Sequence, residues 1–73
     1  MKFDQLVYFL ETARSQHIGK ASKILKISPS AVSHSIAQLE NELGVELFAR
    51  QGKRIRLTEA GWRLMEKAGK LLE

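Results

Sequence analysis

The sequence predicts a small, mostly α-helical domain in which two short helices joined by a tight turn are followed by a β-hairpin and a last helix. Three observations point there. Only Lys26 and Ile27 separate the apolar Leu25 from Ser28-Pro29, where a new helix begins. Gly44 closes that helix, and beyond it the apolar period shortens to two across ELFARQGKRIRLT. Thr58-Glu59 then opens another helical pattern that runs through Leu72.

Taken in order, Phe3, Leu6, Val7, Leu10 and Ala13 recur at helical spacing with Asp4 and Glu11 on other faces, which predicts a scaffold helix from Phe3 to Arg14. Tyr8 and Phe9 lie off that stripe and are expected to pack against a later helix or a second subunit. Ser15 to Gly19 interrupts the pattern with polar residues. A short second helix carrying Ala21, Ile24 and Leu25 is expected to end near Lys26. The link to Ser28 is short enough to set the second and third helices at a large angle, which is helix-turn-helix geometry. Small Ala21 suits their close approach, and Lys20 and Lys23 could reach a phosphate; solvated lysines are the bland alternative.

The third helix is expected over residues 29–43. Ser28 is its N-cap and Pro29 its first residue, where a missing N–H costs nothing. Val32, Ile36, Leu39 and Leu43 share one stripe, whereas Ser30, Ser33, His34, Ala37 and Gln38 occupy the opposite side. No charge occurs from Ser28 to Leu39, and three acids, Glu40, Glu42 and Glu46, crowd the far end. A helix that offers its N-terminal half to an anion and keeps its C-terminal half away is how a recognition helix enters a DNA major groove. An ordinary core helix with a polar outer face is the competing reading.

Gly44 accepts the left-handed conformation just past a helix end. In the hairpin that follows, Gln51-Gly52 is the expected turn, Ile55 and Leu57 face the core, Arg54 and Arg56 point away, and Lys53 sits near the tip. A basic hairpin after a helix-turn-helix reads as a wing lying along a groove or backbone, against a plain solvated hairpin. The fold expected over residues 1–58 is thus a winged helix-turn-helix. Thr58 should cap the last helix, with Glu59 favourable in its first turn. Its apolar residues Trp62, Leu64, Met65, Ala68, Leu71 and Leu72 are too many for one narrow stripe, so part of this face should seek a partner.

Composition narrows the function. At 73 residues the chain holds one small domain, and chains of this size bury only about 60% of their unfolded surface. No apolar run approaches the roughly 20 residues of a membrane span, and Asp4, Glu11 and Arg14 break up the first apolar segment, so no signal peptide is expected. The absence of cysteine removes disulfides, thiol catalysis and thiolate zinc sites together, and is compatible with a reducing compartment. His17 and His34 stand alone, without metal-ligand spacing or a Gly-rich phosphate loop. No enzyme, metal or cofactor is therefore expected. The net charge of +4 falls in two blocks, one at Lys20, Lys23 and Lys26 and one at Arg50, Lys53, Arg54 and Arg56. Clustered bases are the footprint of a polyanion binder. Sequence-blind RNA binding lacks exposed aromatics to stack on bases. A protein-interaction module remains the alternative, and the salt dependence of binding separates the two.

LVYFLETA, the KAS-IL segment, ISPSAVSHSIAQLENELGVELFAR and RIRLTEAG together closely resemble the N-terminal winged helix-turn-helix domain of LysR-type bacterial transcription regulators. The likeness runs from about Phe3 to Gly61. It rests on S-x-x-A-V-S, L-E-x-E-L-G-x-x-L-F-x-R and R-x-R-L-T-x-A-G at these spacings. The resemblance implies sequence-specific binding of double-stranded DNA, with bases read from Pro29, Ser30, Ser33 and His34 at the start of the third helix, behind the capping Ser28. Arg54, with Lys53 beside it, matches the wing's basic contact. Three departures stand out. Pro29-Ser30 replaces the common Gln-Pro, His34 replaces an arginine, and Gln16-His17-Ile18-Gly19 replaces a glycine followed by the Ser or Thr that caps the second helix. Residues 59–73 would begin a linker helix that pairs two subunits, giving a homodimer that is weak when only about four turns are present. The resemblance further implies a longer regulator, sensing a small-molecule effector through a C-terminal domain and working at the nucleoid in the bacterial cytoplasm.

Overall fold

The computed structural model describes residues 1–51 and 54–72. Four helices and one hairpin occur among them: α1 (Phe3–Ser15), α2 (Ile18–Leu25), α3 (Pro29–Leu43), β1 (Phe48–Gln51), β2 (Arg54–Leu57) and α4 (Glu59–Leu72). The mostly helical fold and its winged helix-turn-helix order are those expected.

Helix α1 starts where the Lys2 amide donates to Gln5 Oε1 at 3.0 Å. It stops where Gln16 turns left-handed (φ 55°) and donates its own amide to the Thr12 carbonyl at 2.8 Å. Its buried face differs from the expected stripe. Phe3 is 65% exposed, while Phe9 is fully buried and meets the Phe48 ring at 5.4 Å between centroids. The reason is that α2, α3 and α4 all pack on α1, so the buried side is broad and takes in Gln5, Leu6, Phe9, Thr12 and Ala13. Inside that packing Thr12 satisfies its hydroxyl by donating to the Tyr8 carbonyl at 2.7 Å.

Helix α2 begins at Ile18, earlier than its polar start suggests, and buries Ala21 and Ser22. Lys26, left-handed at φ 61°, ends it. In α3, Val32, Ser35, Ile36 and Leu39 are buried, but Leu43 is 40% exposed. That leucine runs past the core and borders a groove with Val45, Leu47, Ala60 and Leu64. Gly44 (φ 70°) closes α3 as expected, its amide donating to the Glu40 carbonyl at 2.8 Å.

The strands pair antiparallel, with Phe48 opposite Leu57 and Gln51 opposite Arg54. Gln51 therefore belongs to β1, and the link between the strands is Gly52-Lys53, which lies outside the described residues. The expected turn at Gln51-Gly52 therefore includes a residue that pairs within β1; each cross-strand partner moves by two positions, so the faces of the strand residues stay as expected. Ile55 is buried, Leu57 half-buried, and Arg54 and Arg56 exposed, as expected.

The hairpin is tied at its base. The Thr58 amide donates to the Leu47 carbonyl at 3.0 Å, and the Thr58 hydroxyl donates to the Glu46 carbonyl while accepting the Gly61 amide at 3.0 Å. Thr58 thereby caps α4. From there α4 crosses to α1, and Leu6, Phe9, Leu39, Leu47 and Ala68 form the core, with Leu64 and Met65 packed against it.

Candidate nucleic-acid interface

Opposite the buried stripe of α3, its N-terminal half is presented outward. Pro29, Ser30, Ala31, His34, Ala37 and Gln38 are exposed and Ser33 is half-buried. Ser28 Oγ accepts the Ala31 amide at 3.1 Å, so the hydroxyl oxygen is spent on capping and its proton stays available to an acceptor. Gln38 is less free than its place suggests, because its side-chain oxygen faces the Gln5 amide nitrogen at 3.5 Å. The outward surface is thus made of hydroxyls, one imidazole and small apolar groups, which match base edges by hydrogen bonding and methyl contact.

Two clefts flank the start of α2. The first is lined by Ile18, Ser33, Ala37, Glu40, Arg50 and Ile55, and so holds Ser33 and Glu40 of α3 together with Arg50 of β1. Arg50 is the residue that the sequence signalled least. It lies opposite Ile55 in the hairpin, on the face turned to α3, whereas Arg54 and Arg56 occupy the other face. Alternation carried along β1 from Phe48 puts it on the same face as Ile55. The second cleft is lined by Ser15, Gln16, His17, Lys20 and Arg54. Lys20 of α2 and Arg54 of the wing, both expected to contact DNA, are thereby brought to one place. Lys53, expected beside Arg54, lies outside the described residues.

The cap of α2 is an imidazole. His17 Nδ1 accepts the Lys20 amide at 3.1 Å, in the role a serine or threonine hydroxyl would otherwise fill. Glu40 also has a role its sequence position did not show. Near the end of α3, its carboxylate accepts the amides of Leu47 and Phe48 at 2.7 and 3.3 Å. Those bonds fix the turn from α3 into the wing. Glu42 pairs with the amino terminus, leaving Glu46 as the acid of the three for which no side-chain partner occurs among the described residues.

The residues expected to mediate dimerisation are distributed rather than gathered. Trp62, 56% exposed, and Met65 border a groove with Leu10, Ala13 and Leu57. Leu64 borders the groove on the other side, with Leu43 and Val45. Ala68 is buried in the core of its own chain, so it has no surface to offer a partner. The side chains of Leu71 and Leu72 lie outside the described residues.

Comparison with known proteins agrees with this geometry. Residues 3–62 match the pattern of bacterial regulatory helix-turn-helix proteins of the lysR family. The uncharacterised HTH-type transcriptional regulator YybE of Bacillus subtilis (strain 168) is 54% identical over 61 residues, covering 84% of this chain and 21% of the relative. The HTH-type transcriptional regulator HdfR of Salmonella newport (strain SL254) is 47% identical over 72 residues, covering 99% of this chain and 26% of HdfR. The chain thus spans about a quarter or less of these relatives. Among solved structures, the CbnR DNA-binding domain in complex with DNA superposes with a TM-score of 0.94 at 36% identity, covering 99% of this chain and 83% of that one. The BenM DNA-binding domain on benA site 1 DNA gives 0.93 at 33% identity, covering 99% and 84%. With the family pattern matched over residues 3–62 and the fold shared with DNA-binding domains solved on DNA, the chain belongs to the lysR family of bacterial regulatory helix-turn-helix proteins, as a DNA-binding domain of that family.

Proposed function

We propose that this domain reads double-stranded DNA for a bacterial transcription regulator, with the N-terminal half of α3 in the major groove. Ser30, Ser33 and His34 meet base edges, with Pro29 and the capped Ser28 at the groove entrance. Lys20 and Arg54, which share a cleft, hold phosphates on one flank, and Arg50 does so beside Ser33 on the other. Lys53 adds to the wing's contact. The supporting observation is that Lys20 of α2 and Arg54 of β2 share one cleft and Arg50 of β1 shares another with Ser33, Ala37 and Glu40 of α3, while residues 28–39 carry no formal charge.

The domain works as one half of a homodimer, joined through α4 by Trp62, Leu64, Met65, Leu71 and Leu72. It belongs to a longer regulator that senses a small molecule elsewhere in its chain and acts at the nucleoid in the cytoplasm. No cofactor is needed for the domain itself.

Selection of bound sequences from a random duplex pool, followed by a salt titration on the winner, tests the reading. A consensus with two related half-sites is expected, together with a log affinity that falls linearly with log salt, by about 0.9 per neutralised phosphate. Binding that enriches no sequence and barely responds to salt would refute it and favour a protein-interaction module.

A further inference from the structure

We propose that His17 is a positioning residue that makes DNA binding by this domain respond to protons. The inference rests on the DNA reading above and names a control that reading does not contain. In its neutral form the imidazole caps α2, Nδ1 accepting the Lys20 amide at 3.1 Å, and so holds the turn that carries Lys20 beside Arg54.

Helix α2 has eight residues, a length at which a helix depends on its ends and its packing to persist. Its cap is unusual in kind. A serine or threonine hydroxyl accepts at any physiological pH, but an imidazole accepts only while one ring nitrogen is bare, and both nitrogens become donors on protonation. Imidazole is also the side chain whose charge changes between about pH 5 and 8. Protonation of His17 would remove the acceptor and put a cation at the positive end of the α2 dipole.

The charged groups that line the cleft with His17 among the described residues are Lys20 from α2 and Arg54 from β2, both cations. The end of α1 contributes the uncharged Ser15 and Gln16. Among the described residues no carboxylate lines this cleft; the Glu11 carboxylate stands behind Ser15, accepting its hydroxyl at 2.9 Å and pairing with Arg14. Gly19 is fitted to the same ring: a Cβ there would lie 2.9 Å from His17 Cε1 and 3.2 Å from Nδ1. A methyl at Gly19 would thus push the ring away from its capping position.

The test compares the 73-residue chain with His17→Asn, which keeps a capping acceptor but does not titrate. Affinity for a fluorescently labelled duplex of mixed sequence is measured between about pH 8 and 6 at constant ionic strength. His34 is present in both proteins, so its titration cancels. Relative to His17→Asn, wild type should lose about three- to tenfold in affinity over that range, the equivalent of a lost cap. In the free chain, the Lys20 amide resonance should move with pH in wild type and stay fixed in His17→Asn. Gly19→Ala should destabilise wild type yet stabilise His17→Ser, where no ring opposes the new methyl. Coincident pH profiles, or an unresponsive Lys20 amide, would overturn the proposal. So would tighter binding by wild type at low pH, which would mean that the imidazolium takes a phosphate itself. If neither protein binds the duplex even at pH 8 while the amide still titrates, it is the DNA reading that fails, and this role of His17 falls with it.

Discussion

Gly61 and Gly69 stand on the same helix and should respond in opposite directions to the same substitution. A Cβ on Gly61 would lie 2.3 Å from the Leu47 carbonyl oxygen and 2.7 Å from Leu57 Cδ2, whereas nothing lies within 4 Å of a Cβ on Gly69. The Leu47 backbone has little room to yield, because its carbonyl accepts the Thr58 amide and its own amide donates to Glu40. Alanine at Gly61 would gain up to about 1 kcal/mol in helix propensity. Against that stand overpacking of about 1–3 kcal/mol and the strain of a backbone hydrogen bond contributing about 1 kcal/mol. The net loss should be about 1–3 kcal/mol, which in a domain this small lowers Tm by about 4–8 °C per kcal/mol. Gly69→Ala gains propensity with no clash and should stabilise by about 0.5–1 kcal/mol. Thermal and urea unfolding followed by helical circular dichroism measure both. Equal stabilities for the two variants would refute the close approach of α4 to Leu47, and with it the account of how α4 is anchored.

The remaining predictions concern the turn into the wing, the DNA contacts and assembly. Glu40→Ala leaves the Leu47 and Phe48 amides without their acceptor and should cost about 1.5–3 kcal/mol in urea unfolding, since bonds to a charged group are the stronger kind. Ser33→Ala and His34→Ala should change which duplexes are preferred, by roughly 1–3 kcal/mol per base contact in competition binding. Arg54→Ala should instead weaken all duplexes alike and flatten the salt slope by about one unit, so equal losses on selected and random DNA for the Ser33 and His34 variants would remove α3 from the groove. Sedimentation should find a weak, concentration-dependent dimer, because association must overcome at least about 4 kcal/mol of lost rigid-body freedom. Leu71→Glu with Leu72→Lys should abolish it, and a tight dimer surviving that change would place the interface elsewhere.

The helix ends were the most legible part of the fold, because each is written in local chemistry. Ser28-Pro29 and Thr58 cap their helices and Gly44 closes α3, all as side-chain and backbone preferences dictate. Tertiary features were less legible. A single-helix stripe put Phe3 inside, yet it is 65% exposed, whereas Phe9, off that stripe, packs against later helices as expected because three helices converge on α1. The α1–α2 boundary was hidden because Gln16, a residue without special preference for it, adopts the left-handed conformation, and because histidine is not a common cap. At the candidate site, the outward residues of α3 followed directly from periodicity. Arg50 did not, since alternation was read along β2 alone, and the side of the hairpin that meets α3 is set by tertiary packing rather than by local pattern.

Glu40 changes how the charge pattern of the chain should be understood. A run of acids at the end of α3 suggests an electrostatic device that keeps that end away from a phosphate backbone. Yet the Glu40 carboxylate is bound to the two amides that open β1, and Glu42 is paired with the amino terminus. A charge that accepts two backbone hydrogen bonds is a structural cap, placed where the chain leaves α3 and must turn toward the wing. The same division runs around α3 itself. Val32, Ser35, Ile36 and Leu39 carry the packing, while Ser30, His34 and Ala37 on the opposite side touch little of the fold. Substitution on that outer side leaves the core contacts intact. On the DNA reading proposed above, the departures from common family text at Pro29-Ser30 and His34 would change DNA preference at small cost in stability, because these side chains are exposed. His17 is the contrasting case, because a change at that position alters the end of a helix on which Lys20 depends.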